Sequence, residues 1–495
     1  MSGLDPEDWS GLRALGHRML DDMIDRLADL RAQPVWQPMP EALRAELRLP
    51  LPEAGAAPEA IYEDFQRLVA PYSVGNTHPR FMGWVHGGGT GIGMLAELLA
   101  GGLNANLGGR DHAPIEVERQ VVRWAAEMVG MPADSSGLLV TGSSMANMIA
   151  VLVARRHAAG PDVRTHGVAG RGLVGYAASS AHGCIPRAFD LAGLGTAALR
   201  TIGCDPRRQL DLGALRSAVQ RDRAAGLRPF LVVGSAGTVD TGAIDDLAGL
   251  ADFCAAEGLW FHVDGAFGAL AALSPRLRHR LAGIERADSL AFDFHKWAQV
   301  PYDAGCIVVR DPALQAQTFA QSLAYLARED RGTAGNAPWP ADLGPDLSRG
   351  FRALKVWMTL RTYGSAEIGR MVERCCAVAA HLEARVLAAP ELELLAPVSL
   401  NIVCFCVRHL TTNRPGADRS GADTVAADGV DWDRFNAELV KDLQESGIAV
   451  PSTTMIGGRR AIRAAIVNHR TETADIDMMV DALLRLAAAR GACAP

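Results

Sequence analysis

Apolar residues along this chain change their period twice. Near the N-terminus Leu12, Leu15, Met19, Met23, Leu27 and Leu30 recur at three- and four-residue spacing, the stripe of an amphipathic helix. Asp5-Pro6 followed by Asp8 predicts its start: an N-cap acid, a proline in the first turn, then a second acid. One apolar stripe on a terminal helix must bury itself in its own core or against a partner subunit. Pro34, Pro38, Pro40, Pro50 and Pro52 then break the pattern, with a short helix over 41–48 between them. From residue 137 onward short apolar runs alternate with helical patterns. They predict strands at 137–141, 172–178, 198–202, 230–235, 259–263, 289–292 and 306–309. Several are hydrophobic on both faces, which indicates a covered, mostly parallel seven-stranded sheet, with helices such as 145–157 and 247–257 as crossovers. Beyond Phe351 come a long helical region, a strand at 401–407, and helices at 432–446 and 473–490. Between these, 411–429 is rich in Gly, Ala, Asp and Thr and reads as a mobile surface insertion. The division implied is a helical segment at 1–75, a large α/β domain at 76–362 and a smaller α/β domain at 363–495.

In open α/β sheets, ligand sites gather at the carboxyl ends of strands. Asp264, Lys296, His182 and Thr238 all fall at or just beyond such ends. Lys296 closes the run Ala287-Asp-Ser-Leu-Ala-Phe-Asp-Phe-His-Lys. A lysine at a buried strand end can lose a proton and attack a carbonyl; the plain alternative is a solvated charge. Asp264 closes Leu259-Trp-Phe-His-Val-Asp. A buried carboxylate needs a cationic partner or its pKa rises, and a pyridinium nitrogen is such a partner. In this order and spacing, His262-Val-Asp-Gly-Ala266 and His295-Lys-Trp297 resemble the group II pyridoxal-phosphate decarboxylases that include aromatic-L-amino-acid decarboxylase. The resemblance runs from about Pro71 to Gly364 and more weakly to both ends.

The resemblance implies a fold-type I (aspartate aminotransferase-like) architecture, with pyridoxal 5'-phosphate held as a Schiff base on Lys296 and its ring nitrogen on Asp264. Thr141-Gly-Ser-Ser144 lies between a strand and a helix. Its exposed N–H groups and the hydroxyls of Ser143 and Ser144 make a phosphate cradle, the alternative being a serine N-cap. Asn147 and His295 join that shell. His182, in Ser179-Ser-Ala-His-Gly183, is expected to stack on the cofactor ring, with Gly237-Thr238 and Ala266 beside it. Two positions depart from the family: Val239, where a second threonine is common, and Phe294, where proline commonly precedes His-Lys. Tyr325, at the base of a lid over 326–348, occupies the place of the family's proton donor. Oxygen-using aldehyde synthases on the same scaffold tend to have phenylalanine there. Tyr325 with His182 thus favours simple decarboxylation of an L-amino acid to an amine and CO2, the oxygen-dependent route to an aldehyde being the alternative.

The substrate walls implied by the family come from Phe81, Trp84, Val85 and His86, and from Asn104, Asn106, Arg110, Asp111 and His112. Arg110 either pairs with an acidic substrate group or with Asp111, and the second is preferred. An aromatic substrate follows from the resemblance rather than from the pocket; a small polar or acidic amino acid is the other possibility. The family also implies a homodimer, with the N-terminal segment packed across the pair and the active sites near the subunit boundary.

Composition narrows the setting. At 495 residues, 49% hydrophobic and 21% charged, the chain is an ordinary large globular protein, and its net charge of -7 gives no electrostatic case for nucleic acid or an anionic membrane. Nine cysteines without a C-x-x-C pair suit reduced thiols in the cytoplasm. The acidic N-terminus lacks the basic and apolar regions of a signal peptide. The uncharged stretch 135–154 is interrupted by Gly137, Gly142, Ser143, Ser144 and Asn147, so it reads as strand–turn–helix rather than a membrane span. No cluster has metal-ligand spacing. His86-Gly-Gly-Gly-Thr-Gly-Ile-Gly93 fails the G-x-G-x-x-G register and reads as a close backbone approach at the active-site rim.

Overall fold

The computed structural model describes residues 3–6, 8–321, 327–408 and 431–492. Tyr325 and the 411–429 stretch lie outside the described residues. All seven expected strands form: β1 (Ser136–Val140), β2 (Leu173–Ala178), β3 (Leu199–Ile202), β4 (Arg228–Ser235), β5 (Trp260–Asp264), β6 (Ser289–Asp293) and β7 (Gly305–Val309). They pair in one sheet of order β1-β7-β6-β5-β4-β2-β3. The pairs from β3 through β6 are parallel, and β7 runs antiparallel to both its neighbours. Every residue of β2, β5, β6 and β7 is buried, as runs apolar on both faces require.

Because β7 is reversed, its amino end meets the carboxyl end of β6, and Gly305 pairs with Asp293. A side chain on Gly305 would put its Cβ 2.4 Å from the Cα of Gly142. Only glycine lets the turn after β1 come this close to the sheet.

Among the helices, α1 is Trp9–Ala28, α2 Gly91–Leu103, α3 Ala113–Val129, α4 Ser143–Ala159, α5 Leu247–Glu257, α6 Arg352–Ala388, α7 Trp432–Glu445 and α8 Thr473–Ala492. The start of α1 differs from the expectation. Asp8, not Asp5, is the N-cap, and its carboxylate accepts from Ser10 N at 2.8 Å and Gly11 N at 3.3 Å. The stripe also divides: Leu15 and Leu30 are buried within the chain, while Leu12 and Met19 are exposed beside Trp9 and Ile24. Gly364, at φ 75°, interrupts α6.

A second, antiparallel sheet of order β10-β11-β9-β8 comprises β8 (Leu392–Leu394), β9 (Ile402–Val407), β10 (Ser452–Ile456) and β11 (Arg459–Ala465). Only β9 was expected. The chain before α2 is tied to this sheet: Met82 N donates to Val450 O at 2.9 Å, and Ala465 N donates to Met82 O at 2.9 Å.

Of the expected lid, residues 327–348 hold only one short helical turn, Pro340–Asp342, and are fastened to the large sheet's helices. Arg119 donates to Asn336 O at 2.9 Å and to Pro338 O at 2.8 Å, and Trp339 is buried. Arg349 then enters the core. It bonds Glu118 Oε2 at 2.9 Å, Leu107 O at 3.0 Å and Leu139 O at 2.6 Å, while Leu139 N donates to Glu118 at 2.8 Å. Both partners are buried, so removing one strands a charge in a low dielectric. Arg349→Met is expected to cost about 3–5 kcal/mol of unfolding free energy, read by urea titration. A change under ~1 kcal/mol would mean that Glu118 finds other partners.

Candidate active site

Lys296 follows β6 and projects into a cavity of about 370 Å³ at the carboxyl ends of the parallel strands. Its backbone is held by a close approach: a Cβ on Gly87 would lie 2.3 Å from Lys296 O, so the glycine run packs directly against the lysine segment, as the sequence suggested. Gly88 N donates to Gln299 Oε1 at 2.8 Å and fixes the same contact from the other side.

The nearest charge to the lysine is one the sequence reading passed over. Asp293, the last residue of β6, accepts from Lys296 Nζ at 2.9 Å, from Ser143 N at 2.6 Å and from Ser143 Oγ at 2.8 Å. Burial works against both charges, yet each favours the other: the Asp293 pKa is lowered and that of Lys296 is raised. The signal was available, since an acid three residues before a strand-end lysine falls within reach of its amine. Asp293 thereby joins the lysine to the amino end of α4.

Asp264 closes β5 in the same cavity. Its Oδ1 accepts from Ala266 N at 3.1 Å, and among the described residues its Oδ2 meets only the Cys184 thiol at 4.0 Å. Burial pushes its pKa up, and the positive charges of Lys296 and His182 offset that in part. This is a buried acceptor short of a donor. A pyridinium N–H is the partner its chemistry calls for. The rest of the cavity fits such a cofactor. Ser143 and Ser144 present the amino end of α4, while His182, Thr238, Ala266 and His295 line the walls. The Thr238 hydroxyl accepts from Ala243 N at 3.1 Å and lies 3.2 Å from the Thr241 hydroxyl, so it also braces its own turn.

His295 Nδ1 accepts from Ala304 N at 2.9 Å, and its ring lies 4.2 Å from that of Tyr302. Burial pushes the pKa of His295 down to about 4, as it does that of His262. Both imidazoles are neutral in the fold, whereas in the unfolded chain they titrate near ~6.5. Between those values the unfolded chain binds more protons, so stability falls as pH drops through about 6.5 toward about 4. Roughly 2 kcal/mol per histidine is expected to be lost between pH 7 and pH 5, measured by urea unfolding at each pH. A flat profile over that window would contradict it.

Several expected site residues stand elsewhere. Asn147 does not line the cavity. It is fully buried behind it, with Oδ1 2.6 Å from His262 Nε2 and Nδ2 3.3 Å from Cys184 Sγ. One turn into α4, its side chain faces the sheet, where the middle of β5 supplies its partner. Of the expected substrate wall, Trp84 and His86 line the cavity, with Val85; Asn104, Asn106 and Arg110 do not. Asn104 caps α2 with φ 47°, and Asn106 Oδ1 accepts from Gly108 N at 3.0 Å and Arg349 N at 2.9 Å. The Arg110–Asp111 pair does not form either. Arg110, at φ 94°, turns its guanidinium over the Trp339 ring at 4.9 Å, and Asp111 accepts from Asn336 Nδ2 at 3.3 Å.

In their place the cavity gains Phe267 and Tyr302, which nothing in the sequence had marked. Behind its rim, buried Arg463 of β11 donates to the carbonyls of Trp84 at 2.9 Å, Val239 at 2.6 Å and Asp240 at 3.1 Å. One guanidinium from the smaller sheet thus braces two loops of the cavity.

Residues 40–408 match the model of the pyridoxal-dependent decarboxylase conserved domain. The chain is 32% identical to an aromatic-L-amino-acid decarboxylase of Bacillus atrophaeus, over 94% of this chain and 93% of that protein. It is 28% identical to a phenylacetaldehyde synthase of Petunia hybrida, over 96% of this chain and 93% of that one. It superposes on the crystal structure of Oryza sativa TDC with PLP and tryptamine with a TM-score of 0.88, at 28% identity, over 99% of this chain and 100% of the other.

Proposed function

The chain belongs to the pyridoxal-dependent decarboxylases, with their fold-type I α/β architecture, and from that premise we propose an L-amino-acid decarboxylase for aromatic substrates that releases the amine and CO2. Decarboxylation of an amino acid with pyridoxal phosphate is the family's chemistry; the side-chain class and the product are our reading. One observation supports the side-chain class. The cavity wall carries Trp84, Val85, His86, Phe267 and Tyr302, and its only lysine or arginine among the described residues is Lys296. An acidic side chain would enter without a cation to pair with, at a desolvation cost, whereas an aromatic ring finds aromatic surface.

When bound, the cofactor supplies an electron sink for the pair left on Cα as the carboxylate departs. The roles assigned to the chain's own residues are these. Lys296 presents the amine that holds the cofactor, and Asp264 takes the ring N–H and keeps it protonated. Ser143 and Ser144, with the amino end of α4, hold the phosphate. His182 would pack on the ring face, with Thr238, Ala266 and His295 closing the sides. Asp293 holds the Lys296 ammonium until a carbonyl arrives. Proton return to the substrate Cα is assigned to Tyr325 from its sequence position alone.

We further assign a homodimer in the cytoplasm. Trp9, Leu12, Met19, Ile24, Leu49 and Leu51 leave an apolar face exposed on the N-terminal segment, which a second copy would cover. The eight cysteines among the described residues are all free thiols, as a reducing compartment favours. No helix among the described residues is long and apolar enough to cross a membrane.

The substrate class is tested by kcat/KM of the holoenzyme on L-tyrosine, L-tryptophan and L-phenylalanine against L-glutamate and L-cysteine sulfinate. Turnover confined to the aromatic set supports the reading, and preference for an acid would overturn it.

A further inference from the structure

Behind the cavity a row of buried polar groups runs through the sheet and ends on Asp264. Trp260 Nε1 donates to Ser289 Oγ at 2.9 Å, and Ser289 Oγ lies 2.9 Å from His262 Nδ1. His262 Nε2 lies 2.6 Å from Asn147 Oδ1, and Asn147 Nδ2 donates to Cys184 Sγ at 3.3 Å. Cys184 Sγ lies 4.0 Å from Asp264 Oδ2. All six residues are buried. Trp260, His262 and Asp264 alternate along β5 and so share one face; Ser289, Asn147 and Cys184 come from β6, α4 and the helix Cys184–Leu191. Apolar side chains would fill this space without the desolvation that each polar group carries.

The two ends fix the direction of the bonds. An indole N–H only donates, and a carboxylate only accepts. Between them each group passes a hydrogen on: the Ser289 hydroxyl to His262 Nδ1, His262 Nε2–H to Asn147 Oδ1, the Asn147 amide to Cys184 Sγ, and the thiol to Asp264 Oδ2. The opposite polarity would leave Ser289 without an acceptor and Asp264 Oδ2 without a donor among the described residues. Burial pushes the His262 pKa down to about 4, so its ring is neutral and carries the single N–H that this arrangement needs. Burial, and after it the charge of Asp264, pushes the Cys184 thiol up to about 12, so it keeps its proton. A thiol is a weak donor alone, and a row of aligned bonds strengthens it.

We propose that Cys184, aligned by Asn147, His262 and Ser289, is a positioning residue that hydrogen-bonds Asp264 Oδ2 and so keeps the shared proton on the cofactor's ring nitrogen rather than on Asp264. This rests on the reading that Asp264 takes the ring N–H. It goes further by naming the groups that hold Asp264 ionised in a buried site. A donor to the carboxylate favours its charged form, and with it the protonated ring.

The test uses the holoenzyme loaded with ¹⁵N-labelled pyridoxal phosphate, and reads kcat, KM, cofactor Kd and the ring-nitrogen resonance. Cys184→Ala is expected to lower kcat about fivefold at unchanged KM, to weaken cofactor binding by a similar factor, and to move the resonance toward the unprotonated position. Cys184→Ser, which keeps a donor, should stay within about twofold of the wild type. Ser289→Ala frees His262 Nδ1 to donate to the backbone carbonyl of residue 289, 3.1 Å away, which reverses the row. It should therefore move the resonance in the same direction as Cys184→Ala, and it makes the same test should Cys184→Ala fail to fold. In the Asp264→Asn background neither substitution should alter cofactor affinity further, because no carboxylate is left to receive the thiol. A side chain that merely packs would act alike in both backgrounds. Equal losses in the two backgrounds, or a resonance unmoved in Ser289→Ala, would overturn the proposal while the role of Asp264 stands. An Asp264→Asn variant with wild-type kcat, affinity and resonance would overturn both.

Discussion

Lys296→Ala is expected to abolish decarboxylation, lowering kcat by at least about 10⁴-fold, because no other amine lines the cavity among the described residues. The argument is geometric. Lys296 enters from the end of β6 with its backbone clamped against Gly87, and no lysine or arginine on the neighbouring strands reaches the same space. The variant should fold, because losing the amine leaves Asp293 with both Ser143 donors. Two readouts separate this from general damage. Borohydride should fix the cofactor to the peptide carrying Lys296 in the wild type and to no peptide in the variant. The thermal midpoint should shift by only a few degrees. Retained activity in Lys296→Ala would remove the basis of the assignment.

Asp264→Asn is expected to lower kcat by about a thousandfold and to weaken cofactor binding, while leaving the cofactor-free fold as stable or more so. A buried charge pair broken on one side costs roughly 3–5 kcal/mol, which in a rate corresponds to factors of about 10² to 10⁴. An asparagine amide can donate to a pyridine nitrogen but cannot keep it protonated, so the electron sink weakens even if the ring still binds. The stability expectation has the opposite sign because the Asp264 carboxylate is buried, and burial, with a smaller push from the Asp293 charge, has driven its pKa up. Replacing it with a neutral isostere relieves that desolvation. Parallel measurements of kcat, cofactor affinity and urea stability should therefore move in different directions. A variant that loses stability and activity together would mean that Asp264 acts through the fold.

Much of the large sheet was legible because its strands are short runs apolar on both faces, a pattern that solvent-facing strands do not produce. Lys296 and Asp264 were legible for a related reason: each is a charge that closes such a run. The smaller sheet was not, since Ser452-Thr-Thr-Met-Ile456 and Arg459-Arg-Ala-Ile-Arg-Ala-Ala465 are polar or small at alternate positions and carry little periodic signal. Where the chain places an expected site residue away from the cavity wall, the cause is a contact between residues far apart in sequence. Asn147 turns to His262 of β5, and Arg110 finds Trp339 rather than its neighbour Asp111. Asn106 serves the backbone of Arg349. Tyr302 reaches the cavity only because the chain after Lys296 doubles back to start β7, a turn with no apolar period to announce it. Asp293 is different. Its spacing to Lys296 was visible, and only its shared bonds to Ser143 required the fold.

The central claim is that the Lys296–Asp264 cavity removes CO2 from an aromatic L-amino acid and leaves an amine. It is tested most directly by mass spectrometry of the products formed from L-tyrosine, in air, by the wild-type holoenzyme, with oxygen uptake recorded in the same vessel. The expected result is tyramine and CO2 in equal amounts with no oxygen consumed. An aldehyde with ammonia and peroxide, formed as oxygen disappears, would contradict it.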